Sequence, residues 1–252
     1  MNRLKDAWSF LYPIKVDSRS GDLTTHLEVI RFKGKNVLNS FTVNYSFGGL
    51  HLIFEQLFKK IDIEKYDFKN VLILGMGAGS IVSLLEEKYK INCHITAIEK
   101  DKVVIELAKK YFNINKYKSL TIINEDAFDY THRTKEKFDL IISDLFIESN
   151  VPKKFETNEY LTNLKKISTD TCCVIYNKMT KAPIHKKELT GLFENFEHVF
   201  PGTIIHKLYA NNTENSLLYY NTLPMAIKKS NPVLKNIQKQ DVAWPNFKPS
   251  FS

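Results

Sequence analysis

The sequence predicts an α/β fold: a mostly parallel sheet with helices on both faces, preceded by a small antiparallel β cap. Three observations predict it. From Val71 onward, short apolar runs alternate with stretches of helical periodicity, and such βαβ alternation gives parallel strands joined by crossover helices. A glycine-rich turn, Gly75-Met-Gly77-Ala-Gly79, separates the first of those runs from the first helical stretch. Upstream of both, Trp8 to Asn44 breaks into short alternating segments at Ser20-Gly21 and Gly34, as hairpins do.

In chain order, the cap takes residues 1–48, with strands at Leu27-Glu-Val-Ile-Arg-Phe, Asn36-Val-Leu-Asn and Phe41-Thr-Val-Asn. Gly48-Gly49 then precedes Leu50-His-Leu-Ile-Phe-Glu-Gln-Leu-Phe-Lys-Lys-Ile. Its apolar residues recur at helical spacing, which predicts a linking helix within 49–66. The larger domain, 67–222, has strands at Val71–Leu74, His94–Ile98, Leu120–Ile123, Phe138–Ser143 and Cys172–Tyr176. Helices are expected at Ile81–Tyr89, Val103–Phe112, Tyr160–Ile167 and Lys186–Asn195. Glu197-His-Val-Phe, Thr203-Ile-Ile-His and Leu217-Leu-Tyr-Tyr are candidate closing strands, two of them paired as a hairpin. Residues 223–252, with Pro224, Pro232, Pro245 and Pro249, form an irregular tail.

Composition narrows the function. No stretch approaches the roughly 18 uninterrupted apolar residues of a membrane span. Met1-Asn-Arg-Leu-Lys-Asp-Ala-Trp lacks the apolar core of a signal peptide, so the expected compartment is the cytoplasm. The net charge of +8 comes from lysines spread along the chain, the pattern of a solvated surface more than of a nucleic-acid site. No Asn/Asp-Pro-Pro-Tyr-like motif follows the fourth strand, which also argues against nucleic acid methylation. Cys93, Cys172 and Cys173 lie in apolar runs as expected buried thiols. The seven histidines are scattered without metal-ligand spacing, so no metal is expected.

Candidate binding residues cluster at strand ends. Gly75, Gly77 and Gly79 stand where a strand turns into a helix N-terminus, a place where the backbone can closely approach a ligand. The spacing is G-x-G-x-G, with Ser80 and Ile81 where a dinucleotide fingerprint wants its third glycine. That tilts the reading from NAD toward S-adenosylmethionine, the alternative being a ligand-free turn. Glu99 ends the next strand about twenty residues on, where a carboxylate can accept from both hydroxyls of a ribose. Its alternative is a solvated acid at the start of the following helix. Asp126, followed by Ala127, ends the third strand; the acid can accept from an adenine amino group while the next N–H meets a ring nitrogen, or it can simply cap a helix. Asp144 ends the fourth strand, beside the switch point where open α/β sheets bind ligands.

Taken together, Val71 to Gly79, Ala97-Ile-Glu-Lys-Asp-Lys-Val-Val-Ile-Glu-Leu-Ala, Glu125-Asp-Ala127 and Phe138 to Asp144 resemble the spermidine synthase superfamily over most of residues 8 to 220. The resemblance implies a Rossmann-like S-adenosylmethionine-dependent methyltransferase fold with a mostly parallel seven-stranded sheet. It also implies a cofactor, S-adenosylmethionine or its decarboxylated form, cradled by Gly75, Gly77 and Gly79. Glu99 would hold the ribose, Asp126 and Ala127 the adenine, and Asp144 the methionine portion. Family members often form homodimers, so a dimer is expected too.

Two departures qualify the chemistry. Aminopropyltransferases of the family carry Asp-Ser-Ser/Thr-Asp-Pro after the fourth strand, whereas this chain has Asp144-Leu-Phe-Ile147-Glu148. Their amine-deprotonating aspartate falls on Ile147. Where the family usually has Tyr-His-Glu, this chain has Tyr45-Ser-Phe-Gly48. The stretch from Asp144 through Val151-Pro152 and Thr157 to Val174-Ile-Tyr-Asn177 is similar to the spermidine synthase-like branch that lacks the synthase signature.

A sulfonium donor needs little acid–base help once it is held in line with a nucleophile, so a methyltransferase on a small-molecule acceptor, an amine among the candidates, is the leading expectation. For an amine, Asp144 and Glu148 are the candidate bases, with Tyr45 and Tyr176 as polar lining. Glu148 reads equally as an exposed loop acid and Tyr45 as packing under the cap. The alternatives are a divergent aminopropyltransferase making a polyamine and a non-catalytic relative that keeps the fold.

Overall fold

The computed structural model describes residues 8–40, 44–148, 150–180, 183–210 and 213–225, the side chains of residues 44, 45 and 183 excepted. The cap is a four-stranded antiparallel sheet of β1 (Ile14–Arg19), β2 (Leu27–Phe32), β3 (Lys35–Ser40) and β4 (Asn44–Ser46), in that order. β1 is a strand that the sequence pattern does not single out; its side chains are only half-buried or exposed, so no apolar alternation marks it. Of the expected strand at Phe41–Asn44, Phe41, Thr42 and Val43 lie outside the described residues.

Helix α1 (Gly49–Lys60) follows, burying Ile53, Phe54, Leu57 and Phe58 on one stripe. Those residues share one core with Leu27, Val29 and Leu38 of the cap and with one face of the large sheet. Cap and sheet are therefore packed around common apolar contacts.

The large sheet has seven strands. β5 (Asn70–Leu74) is flanked by β6 (His94–Glu99), then β7 (Leu120–Asn124), on one side, and by β8 (Phe138–Ser143), then β9 (Ser168–Met179), on the other, all parallel. β10 (Ile204–Ala210) and β11 (Thr213–Asn221) form the expected hairpin, and β11 pairs antiparallel with β9. Val71 to Leu74 are fully buried, as a central parallel strand requires. Val71 and Ile73 face the core shared with the cap, while Leu72 and Leu74 face a second core under the helices of the other side.

After β5, α2 runs from Ser80 to Ser83 and widens into a π-helical turn at Leu84–Lys88. Next come α3 (Lys102–Tyr111), α4 (Ala127–Arg133), α5 (Asn158–Ile167) and α6 (Pro183–Val199). The expected strand at Glu197-His-Val-Phe is instead the last turn of α6 and the residue after it. Leu189, Leu192, Phe196 and Phe200 all lie on one buried face, and Phe196 and Phe200 have ring centroids 4.9 Å apart. The helical period therefore continues through the apparent alternation. Glu197 then closes the helix by accepting from the N–H groups of Gly202 and Thr203, each at 2.9 Å. The three cysteines are free and buried. Among the described residues, no helix is long and apolar enough to cross a membrane.

Candidate functional site

The glycine turn is fixed from both neighbouring strands. Gly75 N and Met76 N donate to the Ile98 carbonyl of β6, at 2.9 and 3.1 Å. Gly75, Gly77 and Gly79 all adopt positive φ, at 86°, 55° and 89°, a region open to glycine and strained for other residues. At Gly75 space is also exhausted: a Cβ would lie 2.2 Å from the Asp144 carbonyl oxygen. Asp144 N in turn donates to the Leu74 carbonyl at 2.8 Å. The turn and the acid after β8 are thus packed backbone to backbone.

Glu99, at the end of β6, reaches under the turn. Its Oε2 accepts from Gly77 N at 2.9 Å and its Oε1 from Asp101 N at 3.0 Å. Burial raises its pKa to about 7; the N–H groups of Asp101 and Gly77 oppose the rise and the charge of Asp101 adds to it. The start of the following helix is capped by Asp101 instead, whose Oδ1 accepts from Val103 N and Val104 N. Asp101 Oδ2 also accepts from Leu23 N of the cap at 3.1 Å, bringing the β1–β2 loop to this strand end.

Asp144 is buried beside Glu99. Its Oδ1 accepts from Asn177 Nδ2 of β9 at 2.9 Å. Burial raises its pKa to about 7, with the Asn177 donor opposing and the Glu99 charge adding. Asn177 is fully buried, and its Oδ1 has no partner among the described residues. No sequence motif assigns Asn177 a role at the site. It stands 33 residues from Asp144, and only the pairing of β8 with β9 brings the two together.

Asp126, at the end of β7, both caps a helix and faces outward. Its Oδ1 accepts from Phe128 N of α4 at 2.9 Å. Its Oδ2 accepts from Lys100 Nζ at 2.9 Å and Lys154 Nζ at 2.7 Å. Burial works against the charge, but the two lysines and the Phe128 N–H more than offset it, so its pKa is lowered. Ala127 is the first residue of α4, where backbone N–H groups have no intrahelical acceptor.

The structure therefore gathers Gly75, Gly77, Gly79, Glu99, Asp126, Ala127 and Asp144 at the carboxyl ends of β5 to β8. Two other candidates sit on the loop after β8 and on β9. Glu148 adopts φ of 54° and accepts from Ser40 Oγ of the cap at 2.8 Å, tying the loop after β8 to β3. Tyr176 corrects the expectation of a substrate-lining phenol: it is buried in the second core with its hydroxyl donating to the Phe155 carbonyl at 3.1 Å. It points to the sheet face opposite Asn177, its neighbour on β9, as strand alternation dictates. The Tyr45 side chain lies outside the described residues, and its backbone belongs to β4.

A polyamine aminopropyltransferase of Vibrio vulnificus is 28% identical over 138 residues, 51% of this chain and 46% of that protein. An eEF1A lysine and N-terminal methyltransferase homolog of Drosophila melanogaster is 25% identical over 195 residues, 72% of this chain and 28% of that protein. The chain thus spans less than half the length of these two curated relatives. A spermidine synthase crystallised with the transition-state analogue AdoDATO superposes with a TM-score of 0.62 at 16% identity, covering 81% of this chain and 73% of that one. At that identity the likeness bears on the fold. The spermine/spermidine synthase domain model matches residues 56–222, more than half of the chain, and the chain belongs to that family.

Proposed function

We propose that this chain is an S-adenosylmethionine-dependent methyltransferase acting on a small-molecule acceptor. The observation that carries the proposal is the group of buried acceptors beside the glycine turn: Glu99, Asp144 and the unpartnered Asn177 Oδ1. Neither carboxylate has an ion-pair partner among the described residues, so the cluster suits a ligand that brings cationic groups. A sulfonium nucleoside with an amino-acid tail fits this description. When bound, S-adenosylmethionine supplies a methyl group on a leaving thioether.

The protein's own groups then divide the work. Glu99 keeps lone pairs on both oxygens beyond those used by Gly77 and Asp101, and these accept the ribose hydroxyls. Ala127 N–H meets the base, and Asn177 Oδ1 accepts from the tail ammonium. With its pKa near 7, Asp144 can take the proton of an amine acceptor at neutral pH. Ile147 stands where the resemblance puts the aminopropyltransferases' aspartate, and Glu148 is turned to Ser40; both features favour methyl over aminopropyl transfer.

One observation supports a second reading. The same pair of unpaired buried carboxylates would receive the decarboxylated donor, whose tail is an ammonium without a carboxylate, at least as well. Calorimetric titration with S-adenosylmethionine and with its decarboxylated form, repeated on Glu99→Ala, separates the readings. Tighter binding of the carboxylated donor, lost in Glu99→Ala, is the expected result. Preference for the decarboxylated donor would move the function to aminopropyl transfer, and binding of neither would overturn the transferase proposal.

A further inference from the structure

Asp126 is not a simple acceptor. Each carboxylate oxygen has two lone-pair directions. On Oδ2 both are taken by the ammonium groups of Lys100 and Lys154, and one on Oδ1 is taken by the helix-capping N–H of Phe128. Asp126 itself is largely buried at 9% exposure, while the two lysine side chains are 50% and 45% exposed. An exocyclic amino group arriving at Oδ2 must therefore take a position that a lysine of this chain already holds.

The two lysines are held differently. Lys100 directly follows β6, where Asn124 Nδ2 donates to its carbonyl at 2.8 Å. Lys154 belongs to the segment between β8 and α5. Thr157 Oγ1 donates to its carbonyl at 2.9 Å, and the neighbouring Phe155 is buried. Its ammonium lies 5.0 Å from the ring centroid of Phe155 and 5.9 Å from that of Phe128, close enough for cation–π attraction. Its backbone is thus anchored while its long side chain can still rotate.

We infer that Lys154 sets the base selectivity of the nucleoside site by occupying the Asp126 oxygen that would otherwise recognise a purine 6-amino group. The inference rests on the assignment of Asp126 to the base under the proposed function. It concerns how strongly the 6-position is read, not whether a nucleoside binds. At Oδ2, with the lysine in place, the amino group gains a hydrogen bond only by displacing another charge-assisted one, so the net gain there is small. With the lysine side chain neutralised, the acceptor becomes available and the amino group is read at full strength.

The test compares S-adenosylhomocysteine with its 6-deamino purine analogue as calorimetric ligands of the wild-type chain, Lys154→Met and Lys100→Met. The wild type should bind the two within about threefold of each other. An exposed ion pair is worth at most about fivefold in an equilibrium, so Lys154→Met should tighten S-adenosylhomocysteine about threefold to fivefold and leave the deamino analogue unchanged. Raising salt should reproduce part of that gain in the wild type and less of it in the variant, where only the Lys100 pair remains to be screened. Lys100→Met should give the smaller effect.

Equal tightening of both ligands in Lys154→Met would overturn the inference, since a general charge effect would then explain it. Unchanged or weaker S-adenosylhomocysteine binding would do so too, and would leave the donor-site proposal standing. If no variant binds either ligand, both fail together. The thermal midpoint of Lys154→Met, expected within a few degrees of wild type, shows that a changed affinity is not a folding defect.

Discussion

Burial raises the pKa values of two carboxylates at the strand ends, Glu99 and Asp144, to about 7. Each takes up a proton more readily folded than unfolded, so the sign of the linkage follows. Their contribution to stability is fully present below their ordinary values of 4.5 and 3.8, falls as pH rises toward 7, and is lost above 7. The ligand-free protein should therefore melt at a lower temperature at pH 8 than at pH 6. Asp144→Asn should flatten that slope, and a thermal scan across pH 5–8 checks both; a midpoint rising steadily over this range would contradict the assignment. Gly75→Ala is a second test at this scale. It combines a left-handed φ with a Cβ against the Asp144 carbonyl oxygen, and should destabilise by roughly 2–4 kcal/mol in denaturant unfolding.

The helices show what a local pattern can and cannot report. In α3, Asp101 caps the helix and Val104, Ile105, Leu107 and Ala108 form its buried stripe, so start, stop and face are written in consecutive residues. α4, at Ala127–Arg133, is absent from the expected elements because only Ala127, Tyr130 and Thr131 are buried and the run is too short to establish a period. α6 is longer than its pattern suggests, because Phe196 and Phe200 continue its buried face past Asn195. Two substitutions probe it. Gly191 sits within α6 with open space where an alanine methyl would point, nothing lying within 4 Å, so Gly191→Ala should stabilise by about 0.5–1 kcal/mol through helix propensity. Phe196→Ala should cost about 3–5 kcal/mol, since the ring is fully buried between Tyr176 and Phe200.

Across the whole molecule, the strands of the large sheet were legible where they were apolar and separated by turns, and the residues grouped at its carboxyl edge were legible because each ends a strand. The pairings among them were not. Asn177 reaches Asp144 across 33 residues and Lys154 reaches Asp126 across 28, and neither residue type carries a local signature. The attachment of the cap was equally hidden. It depends on Asp101 holding Leu23 N, on Arg19 with Glu106 at 3.1 Å, and on Asn36 with the Tyr111 carbonyl at 2.7 Å. Asp101 is fully buried and serves the cap and α3 together. Asp101→Asn should therefore cost about 1–3 kcal/mol and speed hydrogen exchange at Leu23 more than at the amides of β5.

The contact between Gly75 and Asp144 leaves this chain little freedom to retune itself. A side chain at position 75 would push on the peptide of Asp144, and a shift of that peptide would pull on the Leu74 carbonyl it donates to. The grip on a donor and the placement of the proton-accepting carboxyl are two dials on one shaft. A variant with altered reactivity is more readily reached through the loop carrying Glu148, which is tied to Ser40 of the cap.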